Sequence, residues 1–189
     1  MQHKDGVDPY VDIQNATRNH QAEHGCGAYT FEDGPALLAL VTQRLPQRIL
    51  ELGTALGYTV CCMAGGNALA HADTVEADTE HVALARAHIA RHGLAARVTV
   101  HAGQFDDVLS KLMPGYDMVF FDGFAPAPKT IARLRELLLS GGVLICSNLQ
   151  LAYGHAAKQL EREFNNRRSW QPLAPIERGR TQVLVKLGV

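Results

Sequence analysis

Residues 48–59 read RILELGTALGYT, and the reading of this stretch decides the fold. The short apolar run Arg48–Leu52 contains one carboxylate, Glu51, and is followed by Gly53, Gly57 and the aromatic Tyr58. A brief apolar run closed by glycines reads as a buried strand, a tight turn and the start of a helix. The glycines allow backbone to approach a ligand closely between strand and helix.

Outward from this unit, short apolar runs alternate with helical patterns. The strand candidates are Arg48–Leu52, Thr74–Ala77, Arg97–His101, Asp117–Phe121, Val143–Cys146, Leu173–Ile176 and Gln182–Leu187, and the first five each precede a helical stretch. Residues Thr79 to His92 show the helical type well. Asp78 stands at the cap position, Val82, Ala85 and Ile89 share a face, and Gly93 sits just past the end. Such alternation predicts a Rossmann-like, doubly wound α/β fold with a mostly parallel sheet covered on both faces. The last two strands, separated by a turn around Arg178–Arg180, are expected to form an antiparallel hairpin at the sheet edge.

Composition suits one globular domain over residues 1–189, with polar residues 1–29 expected as an arm with little packing of its own. No segment approaches the roughly 20 apolar residues of a membrane span. The N-terminus MQHKDGVDPYVD has no apolar core of a secretory signal, and the four cysteines show no metal or disulfide spacing, so a cytoplasmic location is expected. The net charge of −1 argues against a general nucleic-acid binder. The charge is uneven, with seven Lys and Arg against three acids after residue 150 and eleven against sixteen before it. A basic helix or an anionic substrate would each account for that.

Ligands of open α/β sheets bind beyond the C-terminal strand ends, where strand order reverses. The sequence places Glu51, Glu76, His101 with Gly103 and Gln104, Asp122, and Ser147 with Asn148 at those ends. The G-x-x-x-G spacing beside an acid does not match a dinucleotide fingerprint, and no Gly-Lys-Ser/Thr follows to make a P-loop. An acid would repel a pyrophosphate. A ligand with a positive charge and a ribose, but no phosphate, fits better, with Glu76 accepting the ribose hydroxyls. S-adenosylmethionine has that profile.

ELGTALGYT resembles the first motif of the class I S-adenosylmethionine-dependent O-methyltransferases of the catechol and caffeoyl-CoA type. AYTFEDGPALLALV, VEADTEHVALARAHIARHGL, YDMVFFDG, LLLSGGVLICSN and the terminal TQVLVKLG are similar to further segments of that family, in its order. The resemblance implies a seven-stranded sheet with a reversed last strand, methylation of an oxygen on a small molecule, and a homodimer. It implies that Glu51, Gly53, Thr54, Tyr58 and Thr59 surround the methionine end of the cofactor, with Gly57 a further cofactor-binding residue of the turn. Glu76 would hold the ribose, Ala77, Gly103 and Gln104 the adenine, and Asp122 and Phe124 would face the sulfonium and the ring.

The chain departs from this pattern at two places. The family's metal ligands are an aspartate, matched by Asp122, and an Asp-Asn pair, matched by Ser147 and Asn148. One carboxylate has become a hydroxyl, which argues against a divalent metal and leaves Asp122 and Asn148 as a remnant. The family's lysine three residues after the first aspartate is Ala125 here, with Lys129 further on. Asp122, Tyr153 and His155 are therefore the candidate catalytic groups, the last two as bases. His81, His88 and His92 are read as a solvated helix face and Cys61 and Cys62 as packing. DGFAPAP faintly resembles a loop of a tRNA-modifying methyltransferase. The alternatives are thus a cofactor-binding protein without catalysis and an RNA-directed methyltransferase.

Overall fold

In the computed structural model, which describes residues 8–188, seven strands build one sheet. They are β1 (Arg48–Leu52), β2 (His71–Glu76), β3 (Val98–Ala102), β4 (Tyr116–Phe121), β5 (Leu138–Cys146), β6 (Trp170–Pro172) and β7 (Gln182–Lys186). Their order is β3-β2-β1-β4-β5-β7-β6. Strand β7 runs antiparallel to both of its neighbours, and the other pairs are parallel, so the expected reversed last strand is present.

Helices cover both faces because the strands alternate buried apolar side chains to either side. Ile49, Met118 and Phe120 pack beneath α1 (Val11–His24), α2 (Gly34–Arg44), α3 (Tyr58–Gly66) and α4 (Thr79–Arg91). Leu50, Leu52, Val119 and Phe121 pack on the other side, against α5 (Phe105–Leu109), α6 (Pro128–Leu137) and α7 (Gly154–Phe164). Helix α4 starts as the sequence predicts, with Asp78 accepting from the amides of Glu80 at 2.8 Å and His81 at 3.1 Å.

Strand order reverses between β1 and β4, whose residues pair from Ile49 with Met118 to Leu52 with Phe121. The chain leaves these strands toward opposite faces, which opens a crevice above their C-terminal ends. Backbone bonds hold the rim together there. The Asp122 amide donates to the Leu52 carbonyl at 2.8 Å and the Ser147 amide to the Phe121 carbonyl at 3.0 Å.

Two expectations need correction. Residues 1–7 of the N-terminal arm lie outside the described residues, but the rest of it is not poorly packed. Tyr10, Ile13 and Thr17 are buried, and the Gln14 side-chain amide donates to the Phe31 carbonyl at 2.9 Å. Asp12 pairs with Arg91 at 2.5 Å and His92 at 3.1 Å. Only one narrow stripe, at spacing i, i+3, i+7, carries the contact, so the segment's polar composition hides it. The sixth strand also falls earlier than Leu173–Ile176. Trp170 is fully buried and starts it, whereas Pro175 has no N–H to extend the ladder and Ile176 makes only an isolated bridge to Thr181.

Candidate active site

The glycine turn after β1 is held in backbone conformations that few residues tolerate. Gly53 has φ 97°, and a Cβ there would come within 2.7 Å of the Asp122 carbonyl oxygen. The turn therefore lies directly against the start of the loop after β4. Ala55 also has a positive φ, 43°, and its amide donates to Glu76 Oε2 at 2.9 Å. Glu76 Oε1 accepts from the amides of Ala77 at 2.8 Å and Asp78 at 2.9 Å. One carboxylate at the end of β2 thus ties together the loops after β1 and β2.

These loops wall a cavity of about 890 Å³ at the crevice. Gly53, Thr54, Tyr58, Thr59, Glu76 and Ala77 line it from the segments after β1 and β2, and Asp122, Phe124, Ser147 and Asn148 from those after β4 and β5. The structure brings these sequence-predicted residues to one place. Gly57, Gly103, Gln104, Tyr153 and His155 do not line it. Gly57 faces Ala85 of α4, 3.5 Å from where its Cβ would lie, and so serves helix packing. Phe105, rather than Gly103 or Gln104, closes the wall on that side.

Glu51 also lies outside the lining. It is fully buried beneath the turn, where its two oxygens accept from the hydroxyls of Thr59 and Thr74, each at 2.5 Å. Burial pushes its carboxyl up to about 7 against the pull of those two hydroxyls, and the charge of Glu76 adds to the rise. Its link to the cavity runs through Thr59 rather than through direct exposure. Tyr58 is oriented similarly from below, its hydroxyl donating to Asp8. Burial and that bond raise its phenol above the ordinary value.

After β4, Asp122 is pushed well above the usual carboxylate range, mainly by burial and then by the charges of Glu51 and Glu177. Asn148, at φ 60°, donates its side-chain amide to the Gly123 carbonyl at 2.9 Å and to Asp122 Oδ1 at 3.3 Å. The Ser147 and Thr181 hydroxyls lie 3.2 Å apart, and the single Thr181 proton goes to Glu177. This donor set does not suit a hard divalent ion. The amide turns a donor toward Asp122, and the serine oxygen is neutral.

Glu177 and Arg180 also line the cavity, and the sequence reading missed both. They lie in the connection between β6 and β7. Glu177 accepts from the Thr181 hydroxyl at 2.8 Å and pairs with Arg180 at 2.9 Å, while its amide donates to Asp33 at 3.0 Å. Glu177 and Arg178 have positive φ, 52° and 56°, just before Gly179 at 92°. Two successive non-glycine residues in this region are strained. The acid and bases of ERGR in a predicted turn were the available signal.

Three further expectations change. Tyr153 is 85 % exposed and His155 lies exposed in the first turn of α7. The left-handed Asn148 and the short helical turn Leu149–Leu151 carry the chain outward first, so that Gln150 and Leu151 line the cavity instead. Lys129 points away to Asp106, 2.9 Å distant. The three α4 histidines are not a solvated face. His81 is buried and lines the cavity, His88 Nδ1 lies 2.9 Å from the Leu56 carbonyl, and His92 meets Asp12.

The sheet order, the reversed seventh strand and a glycine-turned cavity above the switch point define a class I methyltransferase fold. Residues 50–149 match the family model described as a methyltransferase domain, and the chain belongs to that family. A catechol O-methyltransferase of Niastella koreensis is 32 % identical over 141 residues, covering 65 % of this chain and 62 % of that protein. A catechol O-methyltransferase of Mycobacterium tuberculosis is 30 % identical over 127 residues, covering 65 % and 57 %. The matches thus span less than two thirds of these relatives. Among solved structures, an O-methyltransferase from Bacillus cereus in complex with SAH superimposes with a TM-score of 0.75 at 23 % identity, covering 95 % of this chain and 97 % of that one. An O-methyltransferase from Streptomyces achromogenes involved in tomaymycin synthesis, in complex with SAM, gives 0.77 at 20 % identity with full coverage of both chains. These two likenesses establish the fold.

Proposed function

We propose that this protein transfers a methyl group from S-adenosylmethionine to an oxygen of a small molecule. The observation that carries the reading is Glu76, a carboxylate at the end of β2 that lines the cavity and anchors the glycine turn through Ala55. Its Oε2, which accepts only the Ala55 amide, keeps a lone pair for a ribose hydroxyl, whereas Oε1 already accepts two amides. The names of the similar proteins, catechol and other O-methyltransferases, support the acceptor class. The cavity volume suits a cofactor together with a small acceptor.

The charge pattern suits the reaction. Glu76 and Glu177 give the cavity a negative field, with Arg180 as the counter-charge at Glu177, while burial favours the protonated forms of Asp122 and of Glu51 beneath the turn. A sulfonium is attracted there. S-adenosylmethionine bound there would supply an electrophilic methyl, the C–S bond breaking to a neutral thioether as the acceptor oxygen's lone pair forms the C–O bond. The acceptor O–H proton goes to the Glu177 carboxylate, which lines the cavity beside Arg180. Asp122 is the one sequence-predicted catalytic residue that lines the cavity, and Glu177 stands near enough for its charge to act on Asp122. Tyr29, Phe124 and Leu151 offer an apolar mouth for the acceptor.

The reading includes a cytoplasmic homodimer. The four free cysteines, three of them buried, suit a reducing compartment, and the family resemblance supports the dimer. No helix among the described residues is long and apolar enough to cross a membrane. Calorimetric titration with S-adenosylhomocysteine, followed by a labelled-methyl screen over catechols and other hydroxylated small molecules, tests the proposal. Binding in the micromolar range and transfer to such an acceptor, unaffected by added magnesium, are expected. Binding without transfer to any acceptor would favour a non-catalytic binder. Tight NAD binding without S-adenosylhomocysteine binding would overturn the reading.

A further inference from the structure

Outside the carboxylate-rich part of the cavity, the structure gathers a different donor set. Helix α1 carries His20 and His24 one turn apart, with ring centroids separated by 4.5 Å. The helix ends at Gly25, whose φ of 62° reverses the chain, and Cys26 follows. Helix α4 begins on the capping bonds of Asp78 and presents His81 two residues inside its start. The His20 ring stands edge-on against His81 with centroids 5.2 Å apart. One nitrogen from each of His20 and His81 and the sulfur of Cys26 all lie within 4.8 Å of one another.

We propose that His20, Cys26 and His81 bind one thiophilic divalent cation of the zinc class. Two imidazoles and a thiolate suit a borderline-soft ion and not magnesium or calcium, which prefer oxygen. Zinc bonds of about 2.0–2.3 Å place neighbouring tetrahedral donors roughly 3.3–3.8 Å apart. The observed separations, none above 4.8 Å, close to that range through side-chain rotation. His81 is 6 % exposed, whereas His20 and Cys26 are half-buried, so the ion has a route in from solvent. Glu76 Oε1 lies 4.0 Å from His81 Nδ1, too far for a hydrogen bond but near enough for its charge to favour a cation at His81. A water would complete the tetrahedron, and His24 and Glu80 each place a further ligand atom within 4.8 Å of one on His20.

The ion would pin α1 to α4. Thr17, on α1, and His81 both line the cavity, so the clamp fixes one of its walls. This set is separate from Asp122, Ser147 and Asn148, whose chemistry does not suit a metal. The inference does not depend on methyl transfer, and zinc binding is measured without any turnover.

The test uses the full chain, reduced and stripped of metal, titrated with zinc against a chromophoric chelator. One equivalent is expected to bind tightly. In Cys26→Ser the affinity should fall by at least the roughly 10–100-fold that losing even an outer partner of a metal site costs. Cobalt substitution should give a sulfur-to-metal charge-transfer band that Cys26→Ser abolishes. Zinc should also raise the unfolding midpoint of the natural chain but not of the variant. Failure to bind one equivalent would overturn the proposal. So would binding whose affinity and cobalt spectrum are the same in Cys26→Ser, as scattered surface histidines would give.

Discussion

The carboxylate of Glu76 accepts the amide of Ala55 at 2.9 Å, across from one strand end to the next, and so holds Ala55 at a φ of 43°. The residue expected to grip the ribose is therefore also the residue that shapes the turn. Glu76→Ala should remove a charge-assisted bond worth about 1.5–3 kcal/mol. The affinity for S-adenosylhomocysteine would then fall roughly ten- to hundredfold, measured by calorimetry. Unchanged affinity would show that the ribose sits elsewhere.

Glu51 predicts a pH dependence. Its carboxyl rises from 4.5 to about 7 on folding, so between those values the folded chain holds a proton that the unfolded chain has lost. Stability therefore falls as pH rises from about 4.5 to about 7 and is level beyond, with a total on the order of 3 kcal/mol from this group. Asp122, also raised, acts in the same direction. Urea unfolding at pH 5 and pH 8 should show the fall, and Glu51→Gln should reduce it. An equal pH dependence in the variant would contradict the assignment.

Gly53→Ala tests the closeness of the two loops. The new Cβ would meet the Asp122 carbonyl oxygen at 2.7 Å and would sit at a φ of 97°. A strain of about 1–3 kcal/mol is expected. Because the clash is with backbone, Asp122 must shift. Thermal stability and cofactor affinity should fall together, in a melt and a titration on the same sample.

Rate measurements separate the candidate bases. Glu177→Gln should lower the transfer rate by about 10²–10⁴, because its carboxylate takes the acceptor proton, with cofactor affinity retained. Tyr153→Phe and His155→Ala, at exposed positions off the cavity, should leave the rate near that of the natural chain. A large loss in His155→Ala with none in Glu177→Gln would reverse this assignment.

What was legible in the sequence is what short segments specify by themselves. The alternation of apolar runs and helical patterns defines the parallel sheet, Asp78 starts α4, and the glycines after Leu52 mark the turn at the switch point. Glu76 and Asp122 could be placed on the rim because a strand end fixes where its last side chains arrive. The tertiary structure alone decided the rest. Contacts far apart in sequence bury α1 through Tyr10, Ile13 and Thr17, although its composition is polar. Glu51 is drawn beneath the cavity by Thr74, 23 residues away. Glu177 enters the site because a strained connection folds back over the sheet, with its amide held by Asp33, 144 residues earlier. His81 has the same helical spacing as a solvated histidine, and only α1 arriving against it makes it buried. Periodicity and turn chemistry are local, whereas burial and the company a charge keeps are properties of the packed chain.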